Sequence, residues 1–268
     1  MRSITSIAPT ISALVGIKPP ALARGPPLSE VMRAAKRILG SRTAEKCLIH
    51  AVDAFGSRLF DRHEPSFGPV IRHAPVRVEL SSVFPPKTPV CFASIFTGAQ
   101  PKAHGIRKYE RPVLKCDTLF DSLARGGKRV AIVAVKDCSM SIIFRGRDID
   151  YFIEPYDGEV IDRTVELLAS DRHDFIVAYN QGYDDVMHKS TPESAQSLRA
   201  MRRHVTDFST LAGTMRVAWR GEDALLMLMT DHGAHTDPIT GKGTHGARIP
   251  EDMMVNEFFG FYPRTRVA

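Results

Sequence analysis

The apolar run Ala224–Thr230 constrains the fold of this chain more than any other stretch of its sequence. It is short, almost entirely apolar and bounded by charged residues, which indicates a strand buried on both faces of a parallel sheet. Three similar runs occur at Cys47–Val52, Arg129–Val135 and Phe175–Asn180. Because parallel strands need crossover connections, usually helices, the runs predict strands that alternate with helices.

Helical patterns do lie between these runs. Thr118–Arg125 ends at a pair of glycines, Val160–Ala169 is amphipathic, and a longer amphipathic pattern follows Thr191 as N-cap and Pro192 as first helical residue. A Pro-rich loop joins an N-terminal helix to another at Leu28–Leu39, so residues 1–40 form a helical segment. The predicted fold class is therefore α/β, with a doubly wound, mostly parallel central sheet and helices on both faces, in one domain over residues 1–268.

Composition narrows the classes of partner. With 268 residues, 43% of them hydrophobic, the chain can bury a sizeable core, and no apolar run is long enough to cross a membrane. The net charge of +6 favours small anionic partners such as phosphorylated molecules. No basic stripe interleaved with aromatic residues points to nucleic acid, and the basic cluster Arg199–His204 is interpreted as a solvated helix face. The oligomeric state stays open.

The cysteines indicate a reducing environment. Cys47, Cys91, Cys116 and Cys138 are far apart, with neither the spacing of a zinc knuckle nor the density of a disulfide framework. We therefore expect a cytoplasmic location. The first sixteen residues resemble a weak signal peptide, but Pro9 interrupts them and no solid apolar segment follows, which argues against export.

Acidic and histidine side chains follow two of the predicted strands directly. Asp53 comes after Cys47–Val52, and Asp231 and His232 come after Ala224–Thr230. In parallel sheets, ligand groups collect at the carboxyl ends of strands, so these side chains are predicted to meet there and bind a cation. Taken singly, Asp53 is also compatible with a turn or a helix cap, and the Asp-His-Gly sequence with an ordinary turn.

A third cluster follows the run Phe175–Asn180. Asp184 and His188 are four residues apart, so one helical turn would place both on the same face, where they could share a cation. Asp185 and His188 would also be compatible with this arrangement, and a polar loop is the alternative. His245 stands in a glycine-rich loop that can fold back over the strand ends, and its role depends on the other clusters.

Thr88, followed by Pro89, is predicted to be the N-cap of a helix that ends at Gly98. Its hydroxyl would lie at the positive end of the helix, where a phosphoryl group is also favoured. Capping alone would explain this residue, since a threonine hydroxyl is a poor nucleophile unless a metal or base takes its proton. Together the clusters supply two neighbouring sets of oxygen and nitrogen ligands. These sets suit two divalent cations, Zn²⁺ or Mn²⁺, and an in-line phosphoryl displacement.

With these clusters placed, the chain resembles the alkaline phosphatase superfamily, and within it the type I phosphodiesterase/nucleotide pyrophosphatase branch. Thr88–Gly98 and the following Pro101–Ile106 resemble the nucleophile helix of that branch and the motif after it. Tyr183–His188 resembles its metal-ligand helix, and Asp231–Gly233 with His245 match the remaining ligands. The resemblance covers roughly residues 47–252.

The resemblance implies a set of roles for these residues. One divalent cation would be held by Asp184, His188 and His245, and the other by Asp53, Asp231, His232 and the Thr88 oxygen. Thr88 would be the nucleophile and would form a phosphothreonine intermediate that water hydrolyses.

Three features depart from that branch. Cys91 stands where the branch usually has an asparagine that binds a phosphoryl oxygen, so this contact would come from the weaker thiol donor or from Lys87. Only twelve residues separate His232 from His245, so the long insertion of many relatives is absent and the fold is expected to be compact and without a cap. The segment Ile7–Ile17 resembles one that relatives carry near their C-terminus, which suggests a helix permuted to the N-terminus.

The expected activity is hydrolysis of phosphodiester or pyrophosphate bonds in a small phosphorylated substrate. The compact segment before His245 equally resembles the superfamily's phosphomutases. A phosphomonoesterase or a mutase-like phosphotransferase with the same metal site is therefore an alternative. A metal-binding module without catalytic activity is another.

Overall fold

The four apolar runs form the centre of a seven-stranded sheet in the computed structural model, which describes residues 2–265. In chain order the strands are β1 Lys46–Val52, β2 Val76–Ser81, β3 Val130–Val135, β4 Asp150–Glu154, β5 Phe175–Asn180, β6 Ala224–Thr230, β7 His235–Thr236, β8 Gly243–Thr244 and β9 Met254–Tyr262. The main sheet has the order β2-β9-β6-β1-β5-β3-β4, and the short β7 and β8 pair separately. Its strands are parallel except β9, which pairs antiparallel with both β2 and β6.

Helices cover both faces of this sheet, as predicted. They are α1 Ile7–Val15, α2 Ser29–Leu39, α3 Ser57–His63, α4 Gly68–His73, α5 Thr88–Thr97, α6 Pro101–His104, α7 Leu119–Arg125, α8 Ser139–Ile143, α9 Asp157–Ser170, α10 Gly182–Lys189, α11 Ala195–Ala218 and α12 Pro250–Met253, with short 3-10 helices at Ile4–Ser6 and Glu64–Phe67. In one layer, α9 packs against β3 and β5, and α11 packs against β1, α9 and α10. In the other, α7 and α8 pack against β3 and contact α5.

The N-terminal segment belongs to the same core as the sheet. Ile7, Ile11 and Leu14 recur at helical spacing on α1 and are buried, and α1 packs against α5. All ten residues of α5 are buried, which leaves this helix fixed on every side. The N-terminal segment therefore supports the helix that begins at Thr88. Its permuted origin stays a prediction.

The sequence patterns do not predict β2, β4 and β9. β2 and β4 are the edges of the sheet, and their side chains are partly exposed, so neither forms a continuous apolar run. β9 is buried but interrupts its apolar residues with Asn256, Glu257 and Gly260. Polar residues inside a strand weaken the pattern that identified the central strands.

The longest helix begins later than predicted. Its N-cap is Ser194, whose hydroxyl accepts a hydrogen bond from Ser197 N at 3.1 Å, and the predicted cap Thr191 is wrong. Thr191 belongs to the preceding turn, in which its carbonyl oxygen accepts from Ser194 N at 3.1 Å. The arginines of the basic cluster on this helix are exposed as expected, but His204 is buried.

The segment between His232 and His245 is short, as expected. Within the described residues it contains the ribbon β7–β8 and no cap domain. The turn of the ribbon closes with a hydrogen bond from Asp237 N to the Lys242 carbonyl oxygen at 2.8 Å, and Ile239 at its tip is 92% exposed. In the part of the chain that the structure describes, no helix is both long and apolar enough to span a membrane.

Candidate metal centre

Two carboxylates and a histidine meet at the carboxyl ends of β1 and β6. Because these strands are adjacent, with Val52 opposite Thr230, the residues that follow, Asp53 and Asp231, lie beside each other. His232 Nε2 is 3.4 Å from Asp53 Oδ1 and 3.2 Å from Asp231 Oδ2. All three side chains are buried, and one ligand atom from each lies within 4.8 Å of the others.

A second group forms next to the first on helix α10. Asp184 Oδ2 is 3.4 Å from His188 Nε2, one helical turn later, and Asp184 Oδ1 is 3.7 Å from His245 Nε2. This group is nearer to the surface, since the His188 side chain is 39% exposed. The imidazoles of His232 and His245 stack with 3.9 Å between ring centroids, so the groups are adjacent. The structure thus brings together all six carboxylate and histidine residues that the sequence singled out.

The three histidines have the tautomer that leaves Nε2 available as a ligand. Their Nδ1 atoms lie close to backbone carbonyl oxygens: His188 at 3.0 Å from Gly243, His232 at 3.1 Å from Gly233 and His245 at 2.8 Å from Pro86. A carbonyl oxygen only accepts hydrogen bonds, so each Nδ1 must carry the proton and donate it. In the neutral imidazole, each Nε2 then has a lone pair on the side of the carboxylates. Hydrogen bonding of the second ring nitrogen is the usual way in which proteins orient metal-binding histidines.

The carboxylates also retain free ligand atoms. Among residues 2–265, Asp53 Oδ1, Asp184 Oδ1 and Asp231 Oδ2 are buried without a hydrogen-bond partner. Asp53 Oδ2 accepts from the Tyr179 hydroxyl, and Asp231 Oδ1 accepts from Ala54 N at 3.2 Å. A buried polar atom without a partner costs about 1–3 kcal/mol, and more if it is charged. Divalent cations would remove this cost, so each of the two candidate groups, with its mixture of oxygen and nitrogen donors, fits a cation of this kind.

Burial controls the charge of these groups. Burial and the Asp231 carboxylate raise the pKa of Asp53 well above its ordinary value, and burial raises the pKa of Asp231. Burial also lowers the pKa of His232, and it lowers the pKa of His245 to about 4. In contrast, the adjacent Asp184 raises the pKa of His188. Two histidines are therefore neutral at neutral pH, the form that binds metal, while the buried carboxylates need positive charge to ionise.

Thr88 lies beside these ligands. Its Oγ1 is 3.2 Å from His232 Nε2. The prediction that Thr88 caps its helix is wrong, because Lys87 occupies the N-cap position and Thr88 is the first helical residue. The helical hydrogen bonds begin at Lys87, whose carbonyl oxygen accepts from Cys91 N at 2.9 Å. The Thr88 hydroxyl is therefore not used as a cap and stands at the positive end of the helix.

A cavity of about 320 Å³ is lined by Thr88, Lys87 and several of the ligands. Lys87 Nζ donates to the His245 carbonyl oxygen, and burial lowers the pKa of this lysine. Cys91, the other predicted substrate contact, is fully buried with Sγ 3.1 Å from Ser82 Oγ, and it is not part of the cavity lining. The structure thus brings Lys87, and not Cys91, to the cavity.

Several lining residues carry no signal in the sequence. They are Tyr109, Arg111, Asp137, Cys138, Ser139, Tyr179 and Gln181, and the alternative ligand Asp185 also lines the cavity. The alternative ligand Asp185 accepts hydrogen bonds from Tyr156 Oη at 2.6 Å and Gln181 Nε2 at 3.2 Å, and it is outside both ligand groups. Asp137, Cys138 and Gln181 lie in loops after strands, and Tyr109 and Arg111 lie in the loop after helix α6. In such loops composition alone does not distinguish a cavity lining from ordinary surface.

The sheet order, the flanking helices and the two ligand groups define an α/β protein with an alkaline phosphatase-like architecture. A model of the family described as Type I phosphodiesterase / nucleotide pyrophosphatase matches residues 48–120, which include Asp53 and Thr88. The resemblance predicted from the motifs is confirmed by this match and by the fold of solved structures from the same superfamily. No curated protein sequence matches the chain significantly.

Three solved structures illustrate the shared fold. Phosphonoacetate hydrolase from Sinorhizobium meliloti, in complex with phosphonoformate, is 18% identical with a TM-score of 0.54, over 71% of this chain and 57% of that one. Murine ectonucleotide pyrophosphatase/phosphodiesterase 5, inactivated and in complex with AMP, is 17% identical with a TM-score of 0.53, over 72% and 58%. A 2-O GAG sulfatase is 15% identical with a TM-score of 0.54, over 82% and 64%. The chain spans less than two thirds of the length of each.

Proposed function

We propose that this chain is a two-metal phosphohydrolase that cleaves phosphodiester or pyrophosphate bonds with Thr88 as nucleophile. The observation that carries the proposal is the juxtaposition of two three-residue ligand groups with the Thr88 hydroxyl. Asp53, Asp231 and His232 would hold one ion, and Asp184, His188 and His245 the other. Bound divalent cations would supply the positive charge that favours an ionised threonine oxygen and stabilises the oxygens of an in-line displacement.

Thr88 would carry the phosphoryl group between the two half-reactions. Its oxygen forms a bond to phosphorus while the bond from phosphorus to the leaving oxygen breaks. The threonine proton passes to the leaving oxygen, and the phosphoryl group on Thr88 keeps the second ester of a diester substrate. Water then attacks this phosphorus, the bond to the threonine oxygen breaks, and a proton from the water regenerates the hydroxyl as the phosphorylated product leaves. Thr88 Oγ1 lies 3.2 Å from His232 Nε2, so an ion held by His232 would also be within reach of the threonine oxygen.

Lys87 and the start of helix α5 would bind the phosphoryl oxygens. Backbone N–H groups in the first turn of a helix, together with the helix dipole, favour an anion at this end. Lys87 Nζ is held at the cavity lining through the His245 carbonyl oxygen, and Arg111 adds a second cation to the lining. The cavity volume of about 320 Å³ suits a small phosphorylated substrate. Two neighbours in fold, bound to phosphonoformate and AMP, agree with ligands of this size.

Thr88→Ala and Thr88→Ser form the matched pair that tests the nucleophile. Purified protein with Zn²⁺ or Mn²⁺ is assayed on bis-p-nitrophenyl phosphate. We expect turnover to fall to background in the alanine variant and to persist in the serine variant, which keeps a hydroxyl. Mass spectrometry of rapidly acid-quenched wild-type protein should identify a Thr88 peptide that carries a p-nitrophenyl phosphoryl group. Wild-type turnover by Thr88→Ala would exclude this nucleophile.

The same assay separates the alternatives. Faster turnover of p-nitrophenyl phosphate than of the diester would identify a phosphomonoesterase. Transfer of the phosphoryl group to an added alcohol or sugar, with little release of phosphate, would identify a phosphotransferase. Two bound cations without turnover of either ester would instead support the inactive metal-binding module. Elemental analysis after equilibrium dialysis counts the ions independently of activity.

A further inference from the structure

Helix α10 carries two of the ligands but does not cap its own N-terminus. The N-cap residue, Gln181, makes no capping hydrogen bond with its side chain, and its carbonyl oxygen accepts the first helical hydrogen bond, from Asp185 N at 3.1 Å. The N–H groups at the start of a helix have no partner inside the helix and need one elsewhere. Since Asp184 follows within this first turn and His188 one turn later, whatever binds these N–H groups also sets the position of both ligands.

Side chains from two other helices provide the missing caps. The Asp157 carboxylate, at the first residue of α9, accepts from Gln181 N at 3.0 Å through Oδ1 and from Gly182 N at 2.8 Å through Oδ2. His204 on α11 accepts from Tyr183 N at 3.2 Å through Nε2. Both Asp157 and His204 are buried. Three successive N–H groups at the start of α10 are therefore held from outside the helix.

Asp157 also fixes the end of the strand that leads into α10. Its carbonyl oxygen accepts from Asn180 Nδ2 at 3.1 Å, and Asn180 Oδ1 is 2.9 Å from Nε2 of the buried His50 on β1. The carboxylate lies at the N-terminal ends of two helices, α9 and α10. One residue thus connects β5, α9 and α10 at the point where the chain turns toward Asp184.

A side chain at residue 182 would displace the Asp157 carboxylate from its position against α10. A Cβ built at Gly182 would lie 2.5 Å from Asp157 Oδ2, closer than side chains tolerate. The three nearest atoms outside the helix backbone belong to Asp157 and Tyr156. The absence of a side chain at residue 182 is therefore explained by the carboxylate that approaches it.

We propose that Asp157 is a positioning residue for the metal centre, which sets the Asp184–His188–His245 group by capping helix α10 from outside. This inference rests on the proposed function, because it assumes that the group binds a cation. His204 supports the same helix through the adjacent N–H group. Among the described residues, the hydrogen bonds of the Asp157 carboxylate go to the start of α10 and not to Asp53, Asp231 or His232, which follow β1 and β6.

The test compares Asp157→Asn with Asp162→Asn, which makes the same chemical change at an exposed position of the same helix. The asparagine keeps the shape, but its amide N–H₂ faces a backbone N–H in place of an acceptor. Zn²⁺ affinity is measured by competition with a chromophoric chelator in two background variants. Asp231→Asn disables the group of Asp53, Asp231 and His232, and His188→Ala disables the group on helix α10. We expect Asp157→Asn to weaken binding about 10- to 100-fold in the Asp231→Asn background and to leave it unchanged in the His188→Ala background.

Amide hydrogen exchange without metal gives a second readout. Exchange at Gly182 and Tyr183 should accelerate in Asp157→Asn and not in Asp162→Asn. Gly182→Ala should weaken Zn²⁺ binding in the wild type but have little further effect in Asp157→Ala, since the clash is then gone.

Unchanged affinity and unchanged exchange in Asp157→Asn would overturn the inference, as would an equal loss in both backgrounds. If the wild type binds no divalent cation, the proposed function fails. The exchange rates of Gly182 and Tyr183 then still decide whether Asp157 holds helix α10.

Discussion

Replacing Tyr179 with phenylalanine tests how the buried Asp53 is held in the metal centre. The Tyr179 hydroxyl donates to Asp53 Oδ2, and both side chains are buried. The substitution removes this donor and almost no volume, so one oxygen of a buried carboxylate loses its partner. A hydrogen bond to a charged group is worth about 1.5–3 kcal/mol, which corresponds to about a 10- to 150-fold loss of cation affinity. We expect the loss in the group formed by Asp53, Asp231 and His232.

The same substitution should change the pH dependence of binding. Burial raises the pKa of Asp53, and the hydrogen bond from Tyr179 opposes this rise. Without that bond the pKa rises further, and protons compete more strongly with the cation for the carboxylate. The pH of half-maximal Zn²⁺ binding should therefore be higher in Tyr179→Phe than in the wild type.

Tyr262→Phe is the matched control. Its hydroxyl donates to the His73 carbonyl oxygen at 2.7 Å. Tyr262 pairs with Ala224 at the amino end of β6, whereas the metal centre lies at the carboxyl end of that strand. Zn²⁺ titrations of the three proteins over a range of pH, with a competing chelator, measure both affinity and its midpoint. Equal affinities for Tyr179→Phe and Tyr262→Phe would refute the reasoning, as would a loss confined to the group on helix α10.

Three further changes have defined outcomes. Lys87→Met removes a cation from the cavity lining and should lower kcat/KM for the diester about 10- to 150-fold while two ions remain bound; unchanged steady-state kinetics would contradict a role in phosphoryl binding. When the free concentration of the ion is 100 times its dissociation constant, chelation should lower the melting temperature by about 5–10 °C for each ion removed. Identical melting curves by circular dichroism with and without chelator would contradict metal binding. Burial raises the pKa of Glu257 well above its ordinary value of 4.5. The protonated side chain is therefore tolerated in the fold below pH 4.5, and the free energy of unfolding decreases as the pH rises from 4.5 toward the folded-state pKa. In urea titrations at mildly acidic pH, the free energy of unfolding of Glu257→Gln should thus match that of the wild type. At higher pH the variant should be more stable, by up to about 1.4 kcal/mol for each pH unit, and a difference that is constant across pH would show that Glu257 is ionised in the fold.

The central strands and the meeting of their ligands could be predicted from the sequence because both follow from local patterns. A buried parallel strand needs a short apolar run, and a polar residue directly after it must lie at the carboxyl edge. Asp53 and Asp231 satisfy both conditions, and their separation along the chain does not affect the inference. The pairing of Asp184 with His188 is equally local, since it depends on one helical turn.

The residues that support these ligands could not be found in this way. Tyr179 on β5 contacts Asp53, which follows the neighbouring strand β1, and Asp157 contacts Gly182 from another helix. Neither has a spacing that marks it, because only the packed structure brings the partners together. The N-cap of the longest helix was predicted wrongly for a different reason. Ser194 and Thr191 are both good caps by residue type, and the hydrogen bonds of the intervening turn decide between them.

The ribbon β7–β8 combines a rigid base with an exposed tip, and this contrast makes it a natural place to engineer selectivity. At its base, Gly243 leaves no room for a Cβ against Met187, and its carbonyl oxygen accepts from His188 Nδ1 at 3.0 Å. At its tip, Ile239 is almost wholly in solvent. Exposed loop tips accept inserted sequence more readily than packed segments. A longer loop grafted at this turn could therefore add substrate contacts while the spacing of the histidines at either end stays as it is.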